Sequence, residues 1–118
     1  MGQRRLLRVA DLLREEIDEL LRRQVHDPRV AEQDFTILRV EVTPDLSRAH
    51  VHVSTLLEGA ARDALLAGMQ SAAGFMHREL ARRVRLKHTP ELLFAYDGGL
   101  AHGQHITNLL NTLREPAS

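Results

Sequence analysis

The 118-residue sequence predicts an α+β two-layer sandwich, in which a three-stranded sheet carries its helices on one face. Three observations predict it. Apolar residues recur every three or four positions over 4–24 and 58–86, residues 49–55 alternate strictly, and Pro or Gly separates the segments. A chain of this length fits one domain, so we expect a single unit over residues 1–114 and a short tail over 115–118.

The first helix is predicted over residues 4–24. Its apolar positions form one stripe, and its opposite charges stand four residues apart, as in the pair Asp18 and Arg22. Pro28 disfavours a helical conformation at Asp27, so the helix should end before a turn over residues 25–29.

An antiparallel hairpin is predicted next. Residues 35–42 are rich in β-branched side chains, residues 49–55 alternate, and residues 43–47 between them carry Pro and Asp in turn positions. His50 and His52 share the polar side of the second strand, a spacing that two metal ligands could have. No third ligand stands at a recognisable spacing, so we interpret both as polar residues on the open face of the sheet and expect no metal.

The long helical pattern over residues 58–86 contains Gly74, which costs about 1 kcal/mol relative to Ala inside a helix. We therefore predict that a kink or break at this glycine divides two helices. Residues 91–97 follow Pro90 and are predicted to form the third strand, and residues 105–114 show the spacing of a last short helix.

The charges are unevenly distributed, although sixteen basic and sixteen acidic residues cancel. Residues 75–90 contain five basic residues against the single acid Glu79, and fifteen of the sixteen basic residues of the chain are Arg, which suits phosphate binding. The five are Arg78, Arg82, Arg83, Arg85 and Lys87, with Arg78, Arg82 and Arg85 at helical spacing. Arg4, Arg5 and Arg8 could add a second basic edge. An ordinary solvated helix face would explain the same charges.

The aromatic content disfavours a protein that reads single-stranded nucleic acid by base stacking. Three Phe, one Tyr and no Trp leave few stacking platforms, so phosphate contacts and shape would have to carry the recognition of any nucleic acid. Several other classes are excluded. The absence of Cys rules out disulfides, thiolate zinc sites and cysteine nucleophiles, and no apolar run approaches the roughly 20 residues of a membrane span. We expect a cytoplasmic protein with no cofactor and no membrane partner.

An enzyme is not expected either, and we predict no catalytic residue. The polar candidates His26, Asp27, Asp97, His102 and His105 form no recognised motif, and the sequence contains neither a nucleophile elbow nor a phosphate-binding loop. Turn formation and capping explain the two aspartates.

The element order is close to a type II KH arrangement, but the chain lacks the Gly-x-x-Gly loop with which KH domains clamp RNA. Segments from Arg8 to Leu110 together closely resemble the ribosome-binding factor A family. These segments are residues 27–29, 42–49, 72–76, 86–94 and Asp97.

This resemblance implies a KH-like fold with an Ala-x-Gly kink, matched by Ala72 and Gly74, in place of the loop. It also implies binding to free 30S subunits, help in late maturation and processing of 16S rRNA, and particular importance in the cold. The family pattern has Arg where His77 stands, so one rRNA contact should be altered at this position. We expect a monomer. The alternative is a small adaptor whose basic helix binds an acidic protein.

Overall fold

A computed structural model of the chain describes residues 2–98. In chain order, its elements are α1 (Gln3–Arg23), β1 (Thr36–Val42), β2 (Arg48–Ser54), α2 (Gly59–Ser71), α3 (Ala73–Arg83) and β3 (Glu91–Tyr96). This order confirms the predicted α+β class and the predicted succession of elements through the third strand. The predicted helix over residues 105–114 and the tail over residues 115–118 lie outside the described residues.

The sheet is mixed, with the strand order β1-β2-β3. β1 pairs antiparallel with β2, which confirms the predicted hairpin, and a register shift between Ile37 and Arg39 interrupts the pairing. β3 pairs parallel with β2. A parallel neighbour requires a crossover connection, and α2 and α3 provide it.

The core lies between the sheet and the helices. Leu13, Ile17 and Leu20 of α1 are fully buried against inward-facing strand residues such as Val51 and Val53, which are also almost completely buried. The opposite face of the sheet is polar. His50 is exposed there, and His52 lies between two carboxylates, with its Nε2 atom 2.8 Å from Glu41 Oε1 and its Nδ1 atom 3.2 Å from Asp97 Oδ2. Within residues 2–98, no group of three His, Cys, Asp or Glu side chains could hold a metal ion.

The predicted division of the long helix is present and lies in the Ala-x-Gly segment that begins at Ala72. The break lies at Ala72, which has φ −86° and ψ −2° and whose N–H bonds to the carbonyl oxygens of Gly68 and Met69. Gly74 lies in the first turn of α3, where an added Cβ would be 3.7 Å from Arg78 Nη1, an ordinary contact distance. Gly74 is therefore part of α3, and the space around it would accommodate an alanine.

The helical prediction also extends too far at its C-terminal end. α3 ends at Arg83, and Val84 is extended, with φ −122° and ψ 125°. Residues 84–90, which we call the connector, run from α3 to β3. Val84 and Pro90 are buried, so the two ends of the connector are fixed to the core.

Candidate nucleic-acid interface

The connector carries two of the predicted basic residues after the end of α3. Val84 is buried, Arg85 is exposed, Leu86 is half-buried and Lys87 is exposed. α3 ends at Arg83, and the alternation of burial places Arg85 and Lys87 together on the outer side of the connector. The expectation that Arg85 continues a helical stripe with Arg78 and Arg82 is therefore wrong.

A groove, which we call the basic groove, separates the connector from the N-terminal half of α1. It has a volume of about 1100 Å³, and residues 44–46 of the β1–β2 turn complete its wall. Its basic lining consists of Arg5, Arg8, Arg83, Arg85 and Lys87, with His88 beside them. Val9, Leu12, Val84 and Leu86 supply apolar surface. The fold thus brings together the two basic segments that the sequence could not place relative to each other.

Four of these cations lack a carboxylate partner. Within residues 2–98, no ion pair involves Arg5, Arg8, Arg85 or Lys87, whereas seven other arginines pair with acidic side chains. Unpaired guanidinium and ammonium groups that face one groove attract anionic groups, and arginine forks bind phosphate oxygens two at a time.

Arg83 lines the groove, but its side chain forms ion pairs with three carboxylates. Its Nη1 atom is 3.1 Å from Glu16 Oε1 and 3.7 Å from Glu19 Oε1, and its Nε atom is 3.7 Å from Glu79 Oε1. Only 27% of the side chain is exposed. Glu16 and Glu19 belong to α1 and Glu79 to α3, so Arg83 fastens the two helices together.

The remaining predicted residues lie beside the groove. Arg82 is 77% exposed and 3.2 Å from Glu79 Oε2, while Arg78 is exposed one turn after Gly74. Arg4 is exposed in the first turn of α1 and does not line the groove. His77 is part-buried, with its Nε2 atom 3.0 Å from the carbonyl oxygen of Thr89. That ring nitrogen is therefore engaged within the protein.

The β1–β2 turn owes its shape to Asp45. The Asp45 Oδ1 atom accepts hydrogen bonds from Thr43 Oγ1 at 2.8 Å, from Ser47 Oγ at 2.7 Å and from the Ser47 N–H at 3.0 Å. The hydrogen bonds from Ser47, followed by that from Thr43, lower the pKa of Asp45 to about 2. Next to it, Leu46 is buried with φ +62°, a left-handed conformation that a non-glycine residue seldom adopts.

The Asp27-Pro28-Arg29 turn ties the end of α1 to the end of α2. Arg29 Nη2 is 2.7 Å from Asp27 Oδ2 and 3.3 Å from the hydroxyl oxygen of Ser71, the last residue of α2. The hydrogen bonds from Arg29 lower the pKa of Asp27 to about 2. The sequence predicted turn formation and capping for Asp27 and did not indicate the contact between Arg29 and Ser71.

Sequence reasoning also missed the apolar lining and the role of the hairpin turn in the groove. The alternation of Val84, Arg85, Leu86 and Lys87 was the available signal, because a period of two indicates an extended segment. No signal in the sequence could bring Pro44 and Leu46 next to α1. Among the described residues, no Phe or Tyr lines the groove, so it offers phosphate contacts rather than a base-stacking platform.

Comparison with known proteins agrees with this fold. The family described as ribosome-binding factor A matches residues 5–110. The ribosome-binding factor A of Desulfitobacterium hafniense is 39% identical over 115 residues, which cover 98% of this chain and 90% of that protein. The protein of the same description from Prochlorococcus marinus is 40% identical over 112 residues, covering 95% and 91%.

Solved structures agree as well. The crystal structure of ribosome-binding factor A from Thermus thermophilus has a TM-score of 0.64 and 26% identity, covering 81% of this chain and 97% of that one. A homology model of the Thermus thermophilus factor, fitted into a cryo-EM map of its complex with 30S, has a TM-score of 0.60 and 25% identity over 76% of this chain and 92% of that one. Within residues 2–98, no helix is long and apolar enough to cross a membrane. By its sequence over nearly its full length and by its KH-like fold, the chain belongs to the ribosome-binding factor A family.

Proposed function

We propose that this protein binds free 30S subunits in the cytoplasm through phosphates of 16S rRNA and assists the late maturation and processing of that RNA. The observation that carries the proposal is the convergence of four cations without carboxylate partners, Arg5, Arg8, Arg85 and Lys87, on one groove. The Thermus thermophilus relative fitted into a map of a 30S complex supports the choice of particle.

The mechanism requires only binding. Contacts to phosphates position a protein on RNA without reading its sequence, so selectivity would come from the shape of the rRNA that fits the groove. A protein that binds one rRNA conformation better than another shifts the population toward the first, by as much as the two affinities differ. The factor would hold a maturing conformation and leave when the mature surface no longer offers it. No chemical step, and therefore no catalytic residue, enters this scheme.

We propose different roles for the nine predicted rRNA-binding residues. Arg5, Arg8, Arg85 and Lys87 would contact phosphates in the groove, while Arg4, Arg78 and Arg82 would contact neighbouring phosphates from exposed positions. Arg83 and His77 are already bonded within the protein and would support the groove rather than bind RNA.

Lys87 allows a direct test because it is the single lysine of the chain. Acylation of Lys87 by an amine-specific reagent should slow strongly when saturating free 30S subunits are added, and should proceed unchanged with 50S subunits. Unchanged acylation of Lys87 in the presence of bound 30S subunits would show that the basic groove is not part of the interface.

A matched pair of charge reversals completes the test. Lys87→Glu and Arg23→Glu change the net charge equally, but Arg23 is 76% exposed and lies outside the groove. We expect Lys87→Glu to abolish co-sedimentation with 30S subunits and Arg23→Glu to retain it. Equal losses would indicate a response to net charge alone.

The alternative, an adaptor for an acidic protein, would use the exposed arginines of α3. Arg82 is already paired with Glu79, which reduces the charge available to such a partner. Binding to ribosomal particles distinguishes the two functions, because an adaptor need not co-sediment with any of them.

A further inference from the structure

We propose that His77 is a positioning residue that holds the connector so that Arg85 and Lys87 face the basic groove. The inference rests on the proposed function, since it assigns a role in the same site to a residue that would not itself touch RNA.

The contact that carries the inference joins α3 to the end of the connector. His77 Nε2 lies 3.0 Å from the carbonyl oxygen of Thr89, and the contact is part-buried. A carbonyl oxygen can only accept a hydrogen bond, so the imidazole must donate from Nε2. The Nε2 atom of His77 is therefore hydrogen-bonded to the backbone of Thr89 and is not available to a phosphate.

The connector has other attachments at its two ends and at Leu86. The Val84 N–H bonds to the Leu80 carbonyl oxygen at 2.8 Å, and Leu86 packs against the core. At the far end, the Glu91 N–H bonds to the Ser47 carbonyl oxygen at 3.0 Å, where β3 begins. Within residues 2–98, His77 is the only residue whose side chain hydrogen-bonds to the backbone of the connector.

The His77 bond is made at Thr89, two residues after Lys87, in a part of the connector with few other contacts. Lys87 and His88 are exposed, so neither side chain is buried in a way that would hold this part of the connector. Thr89 precedes Pro90, which restricts its backbone to extended conformations, and the His77 bond fixes where that restricted unit lies. Without the bond, Leu86 alone would hold the middle of the connector, so the segment carrying Arg85 and Lys87 would have to be ordered further when RNA binds, which lowers the affinity.

Two polar substitutions of different reach test the proposal. The side-chain nitrogen of Gln can take the place of His Nε2, whereas that of Asn corresponds to Nδ1 and stops short of Thr89. We expect His77→Asn to weaken binding to 30S subunits about fivefold to tenfold, which is the loss that ordering one or two side chains would produce. We expect His77→Gln to bind within about twofold of the wild type, because it keeps the hydrogen bond. The thermal midpoints of both variants, measured on the free proteins, establish that each is folded.

A double-mutant cycle then separates positioning from a general loss of stability. In an Arg85→Ala, Lys87→Ala background, His77→Asn should have no further effect on affinity, because the groups that it positions are gone. Equal losses from His77→Asn in both backgrounds, or equal behaviour of the Asn and Gln variants, would overturn the positioning role. Wild-type affinity of the Arg85→Ala, Lys87→Ala protein would instead overturn the groove as the binding site, so the two failures are distinguishable.

Discussion

Two glycines of the interrupted helix have opposite surroundings. A Cβ atom on Gly68 would lie 2.8 Å from Val30 Cγ2 and 3.0 Å from Arg29 Cβ, both in the loop that follows α1. Gly74 has open space and only the end of the Arg78 side chain nearby. The close approach of the loop to α2 therefore depends on Gly68, the glycine that the sequence pattern did not single out.

Alanine substitutions at these glycines should have effects of opposite sign. Gly68→Ala should lower the free energy of unfolding by about 1–3 kcal/mol, because the added methyl group would push Val30 and Arg29 of the loop away from α2. Gly74→Ala should raise it by up to about 1 kcal/mol, because Ala is the better helix former and meets no steric conflict. Urea denaturation of the two variants measures both values. A destabilised Gly74→Ala protein would instead show that the helix break requires glycine at this position.

Asp45 makes the stability of the hairpin turn dependent on pH. Hydrogen bonds from Ser47 and Thr43 lower its pKa from 3.8 to about 2, so folding favours the ionised carboxylate. This contribution is fully present above pH 3.8 and is lost as the pH falls through about 2. The thermal midpoint of the wild type should therefore fall over this window, and that of Asp45→Asn should start lower and fall less. Asp63→Asn, which removes an exposed carboxylate from α2, should keep the wild-type slope.

Among the elements, β3 has an outer edge that a side chain completes. Gln70 of α2 donates from Nε2 to the Leu92 carbonyl oxygen at 2.9 Å and accepts from the Phe94 N–H at 3.0 Å. The amide thus bonds to the edge as a neighbouring strand would. This contact joins the middle of the crossover to the strand that it delivers.

Removing the amide should destabilise the protein by a measurable amount. Gln70→Ala leaves two edge groups without their partner, and we expect a loss of about 1–2 kcal/mol in the free energy of unfolding. Gln70→Glu keeps an acceptor for the Phe94 N–H but cannot donate to Leu92 when ionised, so its loss should be intermediate. Urea denaturation gives the order of the three proteins. A Glu variant as stable as the wild type would show that the Leu92 bond contributes nothing.

Elements with a clear period could be predicted from the sequence, and tertiary contacts decided the rest. The first helix, predicted over 4–24, spans Gln3–Arg23, because its apolar stripe is uninterrupted and Pro28 follows it. The second helix of the broken pair ends early because Val84 satisfies both a helical and an extended pattern, and its burial in the extended form prevails. The basic residues could be named from their charges. Their division into groove cations and bonded supports depends on packing between α1, α3 and the connector.

For the whole molecule, the distribution of charge matters more than its sum. The formal net charge is zero, yet four unpaired cations face one groove, while Arg83 joins α1 to α3 beside it. Because α1 and the connector form opposite walls, this ion-pair cluster fixes the separation of the cations. An electrostatic interface of this kind should act over a short range and depend on a small, countable number of phosphate contacts.

The salt dependence of binding should reveal that number. Each phosphate neutralised releases counterions and contributes about −0.7 to −0.9 to the slope of log affinity against log salt, so the four groove contacts predict a slope of about −3, and all seven proposed contacts predict about −5 to −6. The groove contacts alone would lower the affinity for 30S subunits roughly sixtyfold between about 50 mM and about 200 mM salt. Lys87→Ala should make the slope shallower by about 0.7 to 0.9, whereas Arg23→Ala should leave it unchanged, because Arg23 lies outside the groove. Parallel slopes for the wild type and Lys87→Ala would mean that Lys87 meets no phosphate, and a slope near zero would assign the binding energy to apolar contacts.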